Sequence, residues 1–117
     1  MLVTLTQVAF GGAIGAVLRY LTGLALAFPF GTLAVNILGS FLIGVLWVAL
    51  ADRGQWSPLL ITGILGGFTT FSAFSLDTLR LVDSGRAPMA AVYVLASVIL
   101  SLGAVALGHA ITKGALG

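Results

Sequence analysis

The sequence predicts an all-α membrane protein with four transmembrane helices, and three observations predict it. Of 117 residues, 60% are hydrophobic and 7% are charged, against about 25% charged in a soluble domain. Mean hydropathy is +1.21. Apolar runs recur along the chain, each near the roughly 20 residues that a helix needs to span hydrocarbon, with short polar turns between them. A soluble fold with so few charges could not cover its surface. Four spans consume most of the chain, so residues 1–117 read as one integral membrane domain without a separate catalytic or nucleic-acid-binding module.

The first apolar run covers residues 2–27, and Pro29 and Gly31 mark the turn after it. The second covers 32–51 and stops at Asp52-Arg53-Gly54. Ser57 and Pro58 open the third, 58–82, as a cap followed by a proline at the first helical position. Asp83 to Arg86 form a polar turn, and the fourth run covers 87–112. The N-terminus has no basic segment or cleavage site of the signal-peptide kind. Short connections make sequential helices antiparallel neighbours. The third run carries the stretch GGFTTFSAF, Gly66 to Phe74. Two glycines and three hydroxyl residues (Thr69, Thr70, Ser72) add nothing to a helix that only crosses lipid. The spacing predicts a break in this helix where a small ion passes.

The formal net charge of +2 comes from five scattered basic residues and three aspartates. There is no basic cluster of the nucleic-acid kind. The absence of cysteine excludes disulfides and thiolate chemistry. Four spans place Arg53 and Lys113 on one side of the membrane and Arg80 and Arg86 on the other, with Arg19 set aside as a residue within the first span. Orientation follows the Lys/Arg excess in short loops, and two against two gives no instruction. The count predicts insertion both ways up, which permits antiparallel dimers, unless other cues fix one orientation.

Polar residues inside the spans are the candidates for chemistry. Gln7, Gly11, Gly15 and Arg19 share one helix face. Arg19 either snorkels to the interface or lines an anion vestibule; a charge at the bilayer centre costs several kcal/mol. Gly11 with Gly15, and Gly63 with Gly67, have the spacing of close helix packing. Asn36, Ser40 and Gly44 share a face of the second helix, where the Asn36 amide either bonds a neighbouring helix or offers its NH2 to a dehydrated anion. Tyr93, Ser97 and Ser101 form a hydroxyl stripe about 12 Å long at 1.5 Å per residue; such hydroxyls donate to an anion or bond the carbonyl one turn back. Phe68, Phe71 and Phe74 read first as packing, yet aromatic edges are positive. Edges hold an anion without the full charge that would bind too tightly for flux. His109 reads as packing or interface, and Tyr20, Trp47 and Trp56 as an aromatic belt. The spans show no catalytic triad, no metal-ligand cluster and no paired carboxylates for proton relay, so an enzyme is not expected.

Three motifs, GGAIGAVLRY (Gly11 to Tyr20), GTLAVNILGSFLIG (Gly31 to Gly44) and GGFTTFSAF, carry a resemblance that covers essentially the whole chain. The sequence resembles the CrcB/Fluc family of fluoride channels. The resemblance implies an antiparallel, dual-topology homodimer in the cell (inner) membrane, with two fluoride pores and the third helix broken near the membrane centre. It implies a structural sodium ion (Na+) at the dimer axis, held by the main-chain carbonyls of Gly66 and Thr69. It assigns the pores to Asn36, Phe71, Phe74, Tyr93, Ser97, Ser101 and Arg19, and leaves Phe68 as packing. The activity implied is passive: fluoride trapped in the cytoplasm leaves down its electrochemical gradient, which confers fluoride resistance. The absence of a coupling carboxylate in the spans agrees with that. Two other readings compete. A dual-topology small multidrug exporter needs a membrane glutamate, and the chain has none. A non-transporting assembly subunit would explain the glycines but not the polar stripes.

Overall fold

A computed structural model describes all 117 residues, and they fold without strands into α1 (Leu2–Ala25), α2 (Phe30–Ala49), a third segment wound in pieces, and a last long helix. Four segments are long and apolar enough to cross a membrane: Leu2–Ala25, Phe30–Ala49, Gly54–Asp83 and Ala87–Leu116. Only 15 of 117 residues are buried, and large apolar side chains such as Leu5, Val17, Val98 and Leu102 are exposed. That inversion is the signature of a chain whose solvent is lipid. The protein is a multi-pass integral membrane protein.

The third segment departs most from regular winding. Its first part, α3 (residues 58–68), follows a short 3-10 turn at Gly54–Trp56. A wide π-wound stretch, Pro58–Leu65, ends in an α-helical turn, Gly66–Phe68. Thr69 (φ −84°, ψ 157°) and Thr70 (φ −154°, ψ 122°) are extended. Helical winding resumes as α4 (Phe71–Asp83), and α5 (Ala87–Leu116) closes the chain.

The helix ends differ from the sequence expectation in local ways. α1 stops at Ala25 because Leu26 turns extended (φ −115°, ψ 142°). α2 starts at Phe30, directly after Pro29. α5 continues to Leu116, with Lys113 in its last turn, where a cation suits the helix dipole. Ser57 makes no capping hydrogen bond: with φ −60° and ψ −41° it is already helical, so its side chain cannot reach forward as an N-cap does.

Helix pairing follows from which residues touch. Gly11 of α1 meets Leu59 and Gly63, and Gly15 meets Ile64 and Phe68, so α1 and α3 run parallel. Gly44 of α2 meets Val105 and His109, and Gly108 of α5 meets Phe41. Thr32 of α2 lies against Tyr93 of α5, so α2 and α5 are parallel as well. At Gly15 the approach is close enough that a Cβ would collide with the Ile64 carbonyl oxygen and lie 2.7 Å from the Phe68 nitrogen. Small residues at such contacts are how membrane helices come together without a hydrophobic drive. α4 folds back on α5, where Leu81, Ala90 and Tyr93 form the small core, flanked by Phe28, Leu33 and Phe74.

Candidate functional site

The discontinuity at Thr69 and Thr70 organises the site, because an interrupted helix strands backbone groups that side chains must satisfy. Asn36 of α2 does so with both ends of its amide. Its Oδ1 accepts from Thr70 N–H at 2.8 Å, and its Nδ2 donates to the Thr70 carbonyl at 3.0 Å. Thr70 Oγ1 accepts from Ala73 N–H at 3.1 Å and so caps α4. Thr69 N–H and its hydroxyl both donate to the Leu65 carbonyl, at 3.0 and 2.9 Å. Arg19 Nε donates to the Gly67 carbonyl at 3.0 Å.

These bonds have a consequence for two carbonyls. In an unbroken helix Thr70 N–H would serve the Gly66 carbonyl, and Ala73 N–H would serve that of Thr69. Asn36 and Thr70 Oγ1 take those donors instead.

Beside the discontinuity opens a cavity of about 450 Å³. It brings together seven residues selected from sequence: Asn36, Gly66, Thr69, Phe71, Phe74, Ser97 and Ser101. Ser40 and Thr70 join them. Phe71 and Phe74 meet edge to face, with centroids 5.5 Å apart and planes at 61°, an arrangement that aromatic quadrupoles favour. Phe71 is 78% exposed, so no helix of this chain covers its outer face. Ser97 Oγ is buried and has no hydrogen-bond partner. By contrast Thr6, Thr22, Ser75, Thr78 and Thr112 each donate to a carbonyl four residues back. A buried hydroxyl without a partner is uncommon.

Two selected residues lie outside the cavity lining. Tyr93 stacks on Phe74 at 5.4 Å, but its hydroxyl donates to Asp77 Oδ2 at 3.2 Å. Arg19 lies against the third segment's backbone, neither snorkelling free nor lining the cavity.

Asp77 is a carboxylate inside the third span that the sequence reading passed over. It is 7% exposed within α4, held by Tyr93 and, at 3.9 Å, by Arg80 Nη1. The signal lay in its position one turn beyond Phe74, on the face that also carries Leu81. The Arg80 guanidinium in turn sits 4.1 Å from the centre of the Phe28 ring, with Arg86 at 5.9 Å.

What this arrangement can do is limited and specific. It offers positive ring edges, an amide, an unclaimed hydroxyl and carbonyls stripped of their helical donors, with no nucleophile paired to a base. That inventory suits the passage of a small ion rather than bond-making. Residues 6–109 match the family described as CrcB-like protein, Camphor Resistance (CrcB). The chain is 53% identical to a protein of Cereibacter sphaeroides, over 97% of this chain and 98% of that one. It is 52% identical to one from Rhizobium johnstonii, over 91% and 93%. It is 51% identical to one from Paracoccus denitrificans, over 95% of each. All three relatives bear the name fluoride-specific ion channel FluC.

Proposed function

The chain belongs to the CrcB-like family, and from that premise we propose that it is a fluoride-specific channel of the plasma membrane, through which cytoplasmic fluoride leaves passively. It is not an enzyme. The observation that carries the reading is Ser97, a buried hydroxyl without a partner, facing the same cavity as Phe71, Phe74 and Asn36.

The mechanism follows from the donors. Fluoride is small and strongly hydrated, so a pore must replace water with fixed donors that do not hold the ion too long. Ser97 and Ser101 hydroxyls donate and can rotate to pass the ion along. Asn36 spends one amide N–H on Thr70 and keeps the second for the ion. The edges of Phe71 and Phe74 supply partial positive charge without a fixed cation. Tyr93 acts by buttressing Phe74. HF enters an acid-stressed cell as a neutral molecule, dissociates, and leaves as the anion. A narrow, largely apolar path rejects larger halides.

The functional unit is an antiparallel, dual-topology homodimer whose third helices are broken near the membrane centre. The balanced basic residues, the open cavity and the uncovered Phe71 ring support that reading. A sodium ion at the dimer axis belongs to it. The Gly66 and Thr69 carbonyls, both deprived of their helical donors and both on the open cavity, fit a hard monovalent cation. Those two carbonyls would hold the ion, which would supply positive charge at the dimer axis.

Fluoride efflux from proteoliposomes, read with a fluoride electrode, tests the function. Wild-type protein is expected to pass fluoride and exclude chloride, and Phe74→Ile or Phe71→Ile to lose the flux while remaining dimeric. Equal passage of chloride would refute the assignment. The buried Asp77 is the one feature that favours a proton-coupled exporter. Uphill fluoride movement driven by an imposed pH gradient would establish coupling, and none is expected.

A further inference from the structure

We propose that Arg19 is a positioning residue for the discontinuity at Thr69 and Thr70, where its bond to the Gly67 carbonyl sets the attitude of the neighbouring Gly66 carbonyl toward a bound monovalent cation. The cation half of this proposal rests on the sodium reading above.

Gly11, Gly15 and Arg19 succeed one another at intervals of four and share a face. At Gly11 and Gly15 the backbones of α1 and α3 touch, with no room for a Cβ. The next position on that face is Arg19, whose side chain reaches the third segment. Its Nε reaches the Gly67 carbonyl at 3.0 Å in a partly buried setting. A guanidinium bonded to a carbonyl is a charge-assisted contact, stronger than a neutral one.

Gly67 is where an external hold is most needed. Its helical donor would be Phe71 N–H, and Phe71 opens a new helix beyond two extended residues. Other carbonyls of the stretch are governed otherwise: Leu65 is held twice by Thr69, Thr70 by Asn36, and that of Thr69 through its own peptide N–H, on Thr70, which Asn36 also holds. Gly66 and Gly67 have no side chain to wedge the peptide planes between them, and glycine leaves its dihedrals free. Arg19 therefore fixes the one stretch of the discontinuity that neither Asn36 nor Thr69 reaches. A role in attracting the anion finds less support, because Arg19 does not line the cavity.

The test uses the full-length dimer in detergent. Amide hydrogen exchange is followed over residues 69–73, with residues 105–112 as an internal control. Sodium binding is read from the rise of the melting temperature as NaCl replaces choline chloride at fixed ionic strength. In Arg19→Gln, exchange over 69–73 is expected to quicken about tenfold while the control is unchanged. Half-saturating sodium should rise by about tenfold, equivalent to about 1.4 kcal/mol. Arg19→Lys, which keeps charge and reach but has no Nε fork, should fall between, and it decides the matter if the glutamine variant does not fold. Unchanged exchange over 69–73 overturns the proposal. So does tighter sodium binding in Arg19→Gln, which would mean that the guanidinium mainly repels the cation. Wild-type protein that sodium does not stabilise overturns the cation half together with the sodium assignment, while the efflux assay still judges the channel reading separately.

Discussion

Ser97 and Asn36 show how differently single side chains contribute here. Ser97 hides a hydroxyl without a partner, a state that costs about 1–3 kcal/mol relative to a satisfied group. Replacing it with alanine removes that cost. Ser97→Ala is expected to melt at the wild-type temperature or higher, with stability raised by about 1 kcal/mol, and to conduct fluoride more slowly. Melting and efflux measured on one preparation check both. Asn36 is the opposite case, because its amide serves both polar groups of Thr70. Asn36→Asp puts an acceptor against the Thr70 carbonyl and should cost about 2 kcal/mol, seen as a lower melting temperature. Sequence made both residues candidates through their polarity inside apolar runs. It could not reveal that one is satisfied and the other is not, since that depends on which backbone groups the discontinuity releases. The partners of Asp77 and Arg19 were out of reach for the same reason: their bonds go to Tyr93 and Gly67, 16 and 48 residues away.

Among the elements, the spans were legible because hydrocarbon thickness fixes a length and lipid demands an apolar surface. Their ends were less so, since Leu26 and Ser57 are decided by local dihedrals that many residues adopt. The wide winding of Pro58–Leu65 has no signature in the residues themselves. It forms where Gly63 lies against Gly11, a contact between segments some fifty residues apart in the chain. The parallel contact of α1 with α3 gives a prediction at this scale. Gly15→Ala drives a methyl into the Ile64 carbonyl and should cost about 1–3 kcal/mol. The effect would be read as a lower melting temperature and faster amide exchange over residues 58–68, whereas the same substitution at Gly103, whose surroundings are open, should change little.

For the whole molecule, the basic residues decide how the bundle sits. Arg80 and Arg86 gather around Phe28, so the turn after α1 and the turn after α4 occupy one end of the bundle. Arg53, in the turn after α2, belongs to the other. With so few charges, a small addition should tip the balance. Gln55→Lys together with Asp52→Asn is expected to drive insertion one way up and to depress fluoride efflux. Co-expression with a chain biased the other way, such as Asp83→Asn with Ser84→Lys, should restore it. Tags reached by membrane-impermeant reagents from one face only would report the bias. The same tags on unmodified protein should be reached from both.

The pairing of α1 with α3 and of α2 with α5 also sets a schedule for synthesis. Neither pair consists of consecutive helices, so no hairpin leaving the ribosome carries its principal contacts with it. The glycine-lined face of α1 has nothing to rest on until residue 68 has emerged, and α2 waits for the last helix made. Chains are built at about 5–20 residues per second, so the early helices spend several seconds in the bilayer without their permanent neighbours. A chain truncated before Ala87 would leave α2 in that condition for good, a ready substrate for membrane quality-control proteases.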